Sequence, residues 1–349
     1  MAAFTAIDDP GTKFKTLTYT GNGSAGHAIT GVGFAPNIGW FKVYDAGDKT
    51  ALFTTPSTYN TMLQLSEAAT VTTTDALTSF DSDGYTLDTR TEVNWSAHPY
   101  VNYSWLANTT TGIDTTGTTI TPTSYTFDQD AGVSFVMYTG NGTIGATLAH
   151  GLGAIPDFAT FKNLDSGVEA WAVFHKNMDA TAPEDYYMHI NTTEARYDNV
   201  NRWNDTMPTS VNMIFNTNAE INTSGDDYVG WFFTGKQGYS KFGGYEGTGN
   251  VDGEFVYTGF KPAFLWTRNI DIVADWYAFD NQRVGYNPDN NKINTNDSSA
   301  EGTTDRVNFL SNGFKFITAG TPNTANTYIY MAWAESPFVN SNGVPGNAG

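Results

Sequence analysis

The chain of 349 residues has a formal net charge of −19, contains no cysteine, and is 15% aromatic but only 15% charged. The lack of cysteine excludes a disulfide framework, thiol catalysis and a zinc–thiolate site. The acidic surface argues against nucleic acid and anionic lipid as partners, and no apolar run approaches the roughly 20 residues of a membrane span, so we expect no membrane insertion.

The first elements that the sequence predicts are short strands joined by glycine-rich turns. Residues 16–19 form a strand that ends at the turn Gly21-Asn22-Gly23, because glycine and asparagine tolerate a positive φ. A glycine-rich bend then leads through Pro36 into a second strand at 38–42, and the proline removes no ladder hydrogen bond at a strand start.

The rest of this segment continues the pattern. Residues 60–69 are the one stretch for which we predict a helical turn. The sequence Asp81-Ser82-Asp83-Gly84 predicts a tight turn between two strands, and an aromatic strand at 100–105 closes the segment. Short strands with regular turns are typical of an antiparallel sandwich or barrel, of which we favour a jelly-roll or lectin-like sandwich.

The same succession recurs twice along the chain. The turn sequence reappears at 138–142 and, with changes, at 245–249, and aromatic strands recur at 228–233 and 328–333. The copies are spaced by roughly 105–120 residues, which is the usual size of an autonomous domain. The sequence therefore predicts an all-β chain of three tandem antiparallel β-sandwich domains joined by short linkers.

Composition places the boundaries of these predicted domains. Segments 108–123 and 235–244 predict linkers, because their composition offers little apolar area to bury. The predicted organisation is a first repeat at 1–109, a second at 110–240, a diverged third at 241–338 and an extended C-terminal tail at 339–349.

No arrangement of side chains predicts catalysis, so we expect no enzyme, no catalytic residue and no cofactor. Asp81 and Asp83 are spaced like the start of a calcium loop, but the turn leaves too little loop for a full ligand set. We therefore expect turn chemistry there and no metal. The histidines are scattered, and the sequence contains neither a nucleophile elbow nor a phosphate loop.

The large aromatic residues fall into two groups. Those at matching strand positions in the copies, such as Trp40 and Trp105, are expected to pack in the core. Trp95, Trp203 and Tyr286 instead lie in variable, Asn-rich stretches, where binding residues tend to occur. Because aromatic rings stack well on sugar faces, these three residues predict a contact with a glycan.

Several of these motifs together resemble one family of proteins. They are the turn at 19–23, the bend before Pro36, the strand with Trp40 and Lys42, and the segments at 79–85 and 330–338. In this order they are similar to a repeated domain of tail-fibre-type virion proteins of tailed phages, particularly phages of aquatic bacteria. The resemblance covers residues 1 to about 340 and implies a virion structural component with lectin-like β domains, often present in several copies.

We therefore expect a non-enzymatic phage virion structural protein on the particle surface, of the tail-fibre or receptor-binding type, that contacts the host. One alternative is a head fibre or capsid decoration protein, and another is a glycan-binding or glycan-degrading domain. The expected partners are other virion proteins, a host surface glycan and further copies of the chain. We expect the chain to form oligomers, because the repeated apolar strands offer more surface than one small sandwich buries, and a homotrimer is favoured as the form expected of a fibre.

Overall fold

The computed structural model describes residues 5–57, 61–69, 71–72, 75–284, 287, 290–304 and 306–346. It is 42% strand and 3% helical, which confirms the all-β prediction. The helical elements of these residues are short: one α-helical turn, α1 (Thr91–Asn94), and two 3-10 turns, Pro10–Thr12 and Pro183–Asp185.

The strands fall into three groups along the chain, which we call repeats. Repeat 1 holds β1 (Phe14–Thr20), β2 (His27–Thr30), β3 (Ile38–Val43), β4 (Ala51–Thr54), β5 (Thr61–Gln64), β6 (Val71–Thr72), β7 (Leu77–Asp81), β8 (Gly84–Leu87) and β9 (Pro99–Trp105). Repeat 2 holds β10 (Ser124–Asp128), β11 (Val133–Thr139), β12 (Ala146–Ala149), β13 (Phe158–Asn163), β14 (Ala172–His175), β15 (Tyr186–His189), β16 (Tyr197–Asp198), β17 (Asn212–Phe215) and β18 (Asp227–Phe233). Repeat 3 holds β19 (Ser240–Glu246), β20 (Phe255–Tyr257), β21 (Phe260–Asn269), β22 (Trp276–Asp280), β23 (Ile293–Asn294), β24 (Val307–Leu310), β25 (Gly313–Phe316) and β26 (Thr327–Pro337).

Each repeat has a larger and a smaller antiparallel sheet, and the larger sheets share one strand order. The orders are β1-β9-β3-β4-β5-β6, β10-β11-β18-β13-β14-β15-β16 and β19-β26-β21-β22-β23. In all three, the closing aromatic strand lies between the strand before the glycine turn and the strand after the proline bend. The smaller sheets are β2-β8-β7, β12-β17 and β20-β25-β24.

One face of each larger sheet packs against the smaller sheet of the same repeat. Aromatic pairs between the two layers mark this contact, and their ring centroids are 5.0–5.2 Å apart: Phe41 with Tyr85, Phe161 with Phe215, and Tyr330 with Phe314. Each repeat therefore has its own apolar cluster between two layers of strands.

The opposite faces of the three larger sheets meet in one central apolar cluster. It joins side chains from every repeat, among them Phe14, Trp40, Trp105, Phe135, Phe158, Trp231, Phe264, Trp266 and Trp333. The ring of Trp105 lies 5.4 Å from that of Trp333 in repeat 3 and 6.2 Å from that of Phe233 in repeat 2. The three repeats thus share a core, and their ability to fold as three separate domains stays a prediction.

Three local expectations are corrected. The helical turn expected at 60–69 is wrong, because Thr61–Gln64 forms β5 and pairs with β4. The linker expected at 235–244 is wrong from Ser240 onward, because β19 starts there and Phe242 is buried in the central cluster. Residues 339–346, expected to be extended, turn back so that Val339 bridges to Pro345.

Candidate functional site

The three aromatic residues expected to bind a glycan do not form one site in the described residues. Trp95 follows α1 at a surface turn, where its side chain is 37% exposed. Its ring lies 4.0 Å from that of His98, which covers part of it. Tyr286 lies outside the described residues.

The structure corrects the expectation for Trp203, whose side chain is completely buried. Its ring packs between Phe161 and Phe174, with centroid distances of 5.5 and 6.1 Å. The indole N–H donates a hydrogen bond of 2.9 Å to the carbonyl of Tyr186. A ring enclosed in this way stabilises repeat 2 and offers no face to a sugar.

The Asp81–Gly84 turn organises a neighbouring bend. The Asp83 carboxylate accepts hydrogen bonds from the backbone N–H groups of Gly31 and Gly33, at 3.0 and 2.6 Å. These two bonds lower the pKa of Asp83 because they stabilise its ionised form. Within the described residues, no group of three or more His, Asp or Glu side chains has the geometry of a metal site.

The recurring glycine turn has a steric cause that is the same in every repeat. A Cβ atom built on the first glycine of the turn would lie 2.0–2.2 Å from a backbone carbonyl oxygen, in the pairs Gly21 with Trp95, Gly140 with Thr223, and Gly247 with Thr324. The second glycine has a φ of +63° to +67° in all three copies, Gly23, Gly142 and Gly249. Only glycine meets both requirements without strain.

A buried asparagine holds each turn in place. In repeat 2 the side-chain oxygen of Asn222 accepts the N–H groups of Asn141 and Gly142 at 2.9 and 3.2 Å. Its amide group donates to the carbonyls of Thr143 and Asn216. Asn94 and Asn323 make the corresponding bonds in the other repeats. The repeated turn is therefore part of the framework.

We expect Gly140→Ala to lower the free energy of unfolding by about 2 kcal/mol, because the added methyl group overlaps the Thr223 carbonyl. Urea denaturation measures this difference. Gly167→Ala is the matched control, since a Cβ there meets no atom within 4 Å, and its effect should stay within about 0.5 kcal/mol. Equal effects of the two substitutions would contradict the steric account.

Neighbouring repeats are joined by hydrogen bonds at matching positions. The indole N–H of Trp171 in repeat 2 donates to the carbonyl of Gln64 in repeat 1 at 3.0 Å. The indole N–H of Trp276 in repeat 3 donates in the same way to the carbonyl of His189 in repeat 2 at 2.8 Å. Repeat 3 contacts repeat 1 through the backbone hydrogen bond from Glu301 N–H to the Tyr44 carbonyl. Each repeat is therefore bonded to both of the others.

A cation is buried at one equivalent strand position in every repeat: Lys42, Lys162 and Arg268 lie opposite Val101, Val229 and Ile329. Burial lowers the pKa of Lys42 and of Lys162 to about 8, and that of Arg268 to about 10. Each donates to backbone carbonyls; Lys162, for example, reaches the Glu169 carbonyl at 2.8 Å. Because all three are enclosed and bonded to backbone carbonyls, we assign them to the framework.

Two buried histidines share a second structural pattern. His150 and His175 each accept the N–H of the residue two positions later at Nδ1, and Nε2 lies 3.0 and 3.4 Å from the carbonyls of Thr209 and Tyr330. Burial lowers the pKa of His150 to about 4 and that of His175 to about 3. Both rings are therefore neutral at pH 7, and His175 connects repeat 2 to repeat 3.

This pattern predicts acid sensitivity. A folded-state pKa below the unfolded value of 6.5 means that the unfolded chain binds protons first, so stability is full above about pH 6.5 and falls as the pH drops toward 4. We expect each histidine to account for about 2 kcal/mol of lost stability between pH 7 and pH 5. His175→Gln keeps a hydrogen-bond donor and an acceptor but does not titrate. In this variant the loss of stability between pH 7 and pH 5, measured by urea denaturation at each pH, should be smaller by about 2 kcal/mol. An unchanged loss in that variant would contradict the assignment.

The fold and the site together define a class of protein: an all-β chain of three two-sheet repeats, whose larger sheets share the order of their central strands and pack around one aromatic core. The chain belongs to the family described as Domain of unknown function (DUF7483), whose sequence profile matches residues 9–337. Comparisons with curated proteins and with solved structures found no match. The part of the chain that the structure describes has no helix long and apolar enough to span a membrane.

Proposed function

We propose that this chain is a non-enzymatic structural protein of a phage particle, of the tail-fibre type, displayed on the virion surface and in contact with the host. The observation that carries the proposal is the use of buried polar groups. Buried charged side chains join the repeats. The Arg268 guanidinium in repeat 3, for example, donates to the carbonyls of Thr192 and Glu194 in repeat 2 at 3.1 and 2.6 Å. Such a rigid array suits display of loops better than turnover of a substrate.

Buried charged groups form two further networks, one inside repeat 2 and one between repeats 1 and 3. Arg202 binds Glu220 with two hydrogen bonds of 3.0 and 2.9 Å, and the Nε2–H of His189 donates to the same carboxylate at 3.0 Å. Tyr103 of repeat 1 donates to the Asp280 carboxylate of repeat 3 at 2.8 Å. These networks fix repeats and loops, and a carboxylate held by arginine is poorly placed for proton transfer.

Within this proposal each repeat is a β-sandwich of the jelly-roll or lectin-like kind, and the partners are other virion proteins and further copies of the chain. The aromatic strands that suggested a homotrimer are buried in the central cluster of a single chain. A trimer therefore needs another surface, and it stays a proposal.

The experiment that tests the proposal is localisation on purified particles with a labelled antibody, combined with an adsorption assay. A tail-fibre role predicts label on the tail and reduced infection when host cells are first mixed with the free protein. Label on the capsid with unchanged adsorption would replace the tail assignment with a head fibre or decoration role. Release of reducing sugar from host polysaccharide would overturn the non-enzymatic assignment.

A glycan-binding role is the second candidate, and the exposed ring of Trp95 favours it. We expect Trp95→Ala to weaken binding to host cells while leaving the stability of the protein unchanged. Phe80, whose ring packs 5.5 Å from that of Tyr85, is a less exposed aromatic residue of the same repeat and serves as the control position for a Phe80→Leu variant. Unaltered binding by the Trp95 variant would remove this residue from the receptor contact.

A further inference from the structure

A basic cleft lies where repeats 2 and 3 meet. Its volume is about 360 Å³, and its lining includes Asp157, Lys176 and Lys236 from the side of repeat 2 and Lys241 and Tyr257 from repeat 3. This volume falls in the range of roughly 300–1,000 Å³ that is common for small-molecule sites. The cleft is open to solvent, so its lysines differ from Lys42 and Lys162, which are buried.

The charge of this cleft is opposite to that of the whole protein. Three lysines and one aspartate are among its lining residues, a local formal balance of +2 in a chain whose net charge is −19. Lys176 pairs with Asp157 at 2.9 Å, whereas the ion pairs of the described residues include neither Lys236 nor Lys241. The positive charges of Lys236 and Lys241 are therefore not offset by a carboxylate in these ion pairs, which favours an anion from outside.

The two lysines on opposite walls affect each other. Burial lowers the pKa of Lys241, and the positive charge of Lys176 lowers it further. The Lys241 ammonium donates to the Tyr257 carbonyl at 2.7 Å and lies 5.3 Å from the centre of the Tyr257 ring. An anion bound between the walls would offset the repulsion between these cations.

The fold itself does not require these lysines, because the chain contains the same junction twice more. At the cleft, the backbone N–H of Lys176 donates to the backbone carbonyl of Asp157. The matching backbone bonds join Asn281 to Ala263 in repeat 3 and Thr55 to Asn37 in repeat 1. The position of Lys241 on the first strand is taken by Lys15 in repeat 1 and Ser134 in repeat 2. The cleft between repeats 3 and 1 is only about 80 Å³ and carries Glu335.

An aromatic surface lies beside the cations. The side chain of Tyr257 is 53% exposed and that of Phe255 is 40% exposed, and both point outward from β20. Of the two, Tyr257 lines the cleft, and its ring offers a flat apolar face, whereas a simple phosphate or sulfate uses only charge. A ligand that contacts both the lysines and the aromatic ring needs an anionic group and an apolar face on one compact ring.

We propose that this cleft binds an anionic saccharide, with a sugar carboxylate held between Lys176, Lys236 and Lys241 and the C–H face of a sugar ring against Tyr257. The site itself does not depend on a virion role, and only its use as a host receptor site rests on the proposed function. Carboxylated sugars are the ligand class, because their carboxylate accepts charge-assisted hydrogen bonds from ammonium groups.

Calorimetric titration of the purified full chain with tetragalacturonate tests the proposal, and the fully methyl-esterified tetrasaccharide is the neutral counterpart. We expect tetragalacturonate to bind at least tenfold more tightly than the ester. Its binding should weaken between about 50 mM and about 500 mM salt, because salt screens the attraction between the lysines and the carboxylates. Equal affinity for the two saccharides, or no binding to either at millimolar concentration, would overturn the proposal. Either failure leaves the virion localisation untouched, so the two hypotheses are judged separately.

Variants with a matched control locate the site. Lys236→Gln should weaken tetragalacturonate binding about tenfold and Tyr257→Ala about fivefold, with melting temperatures close to that of the wild type. Lys15→Gln, at the position of repeat 1 that is equivalent to Lys241, alters the cleft between repeats 3 and 1 and should leave the affinity unchanged. A loss as large in Lys15→Gln as in Lys236→Gln would show general charge attraction and refute the site. Inorganic phosphate that displaces the saccharide with equal affinity, with no effect of Tyr257→Ala, would refute the sugar and leave an anion site.

Discussion

Replacing Trp333 with alanine is expected to lower the free energy of unfolding by about 4 kcal/mol. The Trp333 ring is 2% exposed and lies within 5.4–5.7 Å, centroid to centroid, of rings from every repeat: Phe14, Trp105, Phe233, Phe242 and Phe264. Alanine would leave a cavity on the shared face of three sheets, which cannot all move inward to fill it.

The same variant tests whether the repeats unfold together. Because the central cluster joins all three, we expect one cooperative transition in urea, followed by both fluorescence and circular dichroism, and a shift of the whole transition in Trp333→Ala. Trp95→Ala is the control: Trp95 is 37% exposed and lies outside the central cluster, so its effect should stay below about 1 kcal/mol. Three separate transitions, of which only one moves in Trp333→Ala, would instead support three independent domains.

The sequence predicted the repeated unit well because its cause is local. A glycine that abuts a carbonyl oxygen, as Gly140 abuts Thr223, must recur wherever the same turn is packed in the same way. The closing aromatic strand is also recognisable, since Tyr228 and Tyr328 occupy matching register positions in their sheets. These features depend on few neighbouring residues, so they can be read along the chain.

The arrangement of the repeats could not be read in the same way. Strand β3 is buried on both faces, so Trp40 and Phe41 lie next to each other in sequence but belong to different apolar clusters. A strand of this kind has no alternation of polar and apolar residues, and nothing in it distinguishes a lone sandwich from one wall of a larger core. The segment at 235–244 was misread as a linker for the same reason, because Phe242 is buried by a neighbouring repeat.

The candidate sites show the limits of loop-based reasoning. Trp203 occurs in an Asn-rich stretch, which favoured a surface role, yet tertiary packing encloses it between two phenylalanines. The basic cleft was missed because Lys176 and Lys236 are far apart in sequence and converge only where two repeats meet. The available signal was the rarity of basic residues: 17 Lys and Arg against 36 Asp and Glu make any local excess of lysine informative.

The second large effect is expected at a buried ion cluster between repeats 3 and 1. The Arg283 guanidinium binds the carboxylates of Asp280 at 2.6 Å and Glu301 at 2.7 Å, and its side chain is 2% exposed. Asp280 also accepts the hydroxyl proton of Tyr103 from repeat 1. The two carboxylates raise the pKa of Arg283 against the opposing effect of burial, so the guanidinium stays charged.

Arg283→Met should therefore lower the free energy of unfolding by about 3–5 kcal/mol, because it leaves the fully buried Asp280 carboxylate without its cation. Urea denaturation measures the loss, and the double variant Arg283→Met/Asp280→Asn should recover a large part of it by removing the stranded charge. Lys49→Met is the control, since its pair with Glu67 is exposed and should contribute less than about 1 kcal/mol. If the double variant were less stable than Arg283→Met alone, the buried charge would not be the cause, and the loss would have to come from the packing of the arginine side chain against the neighbouring backbone.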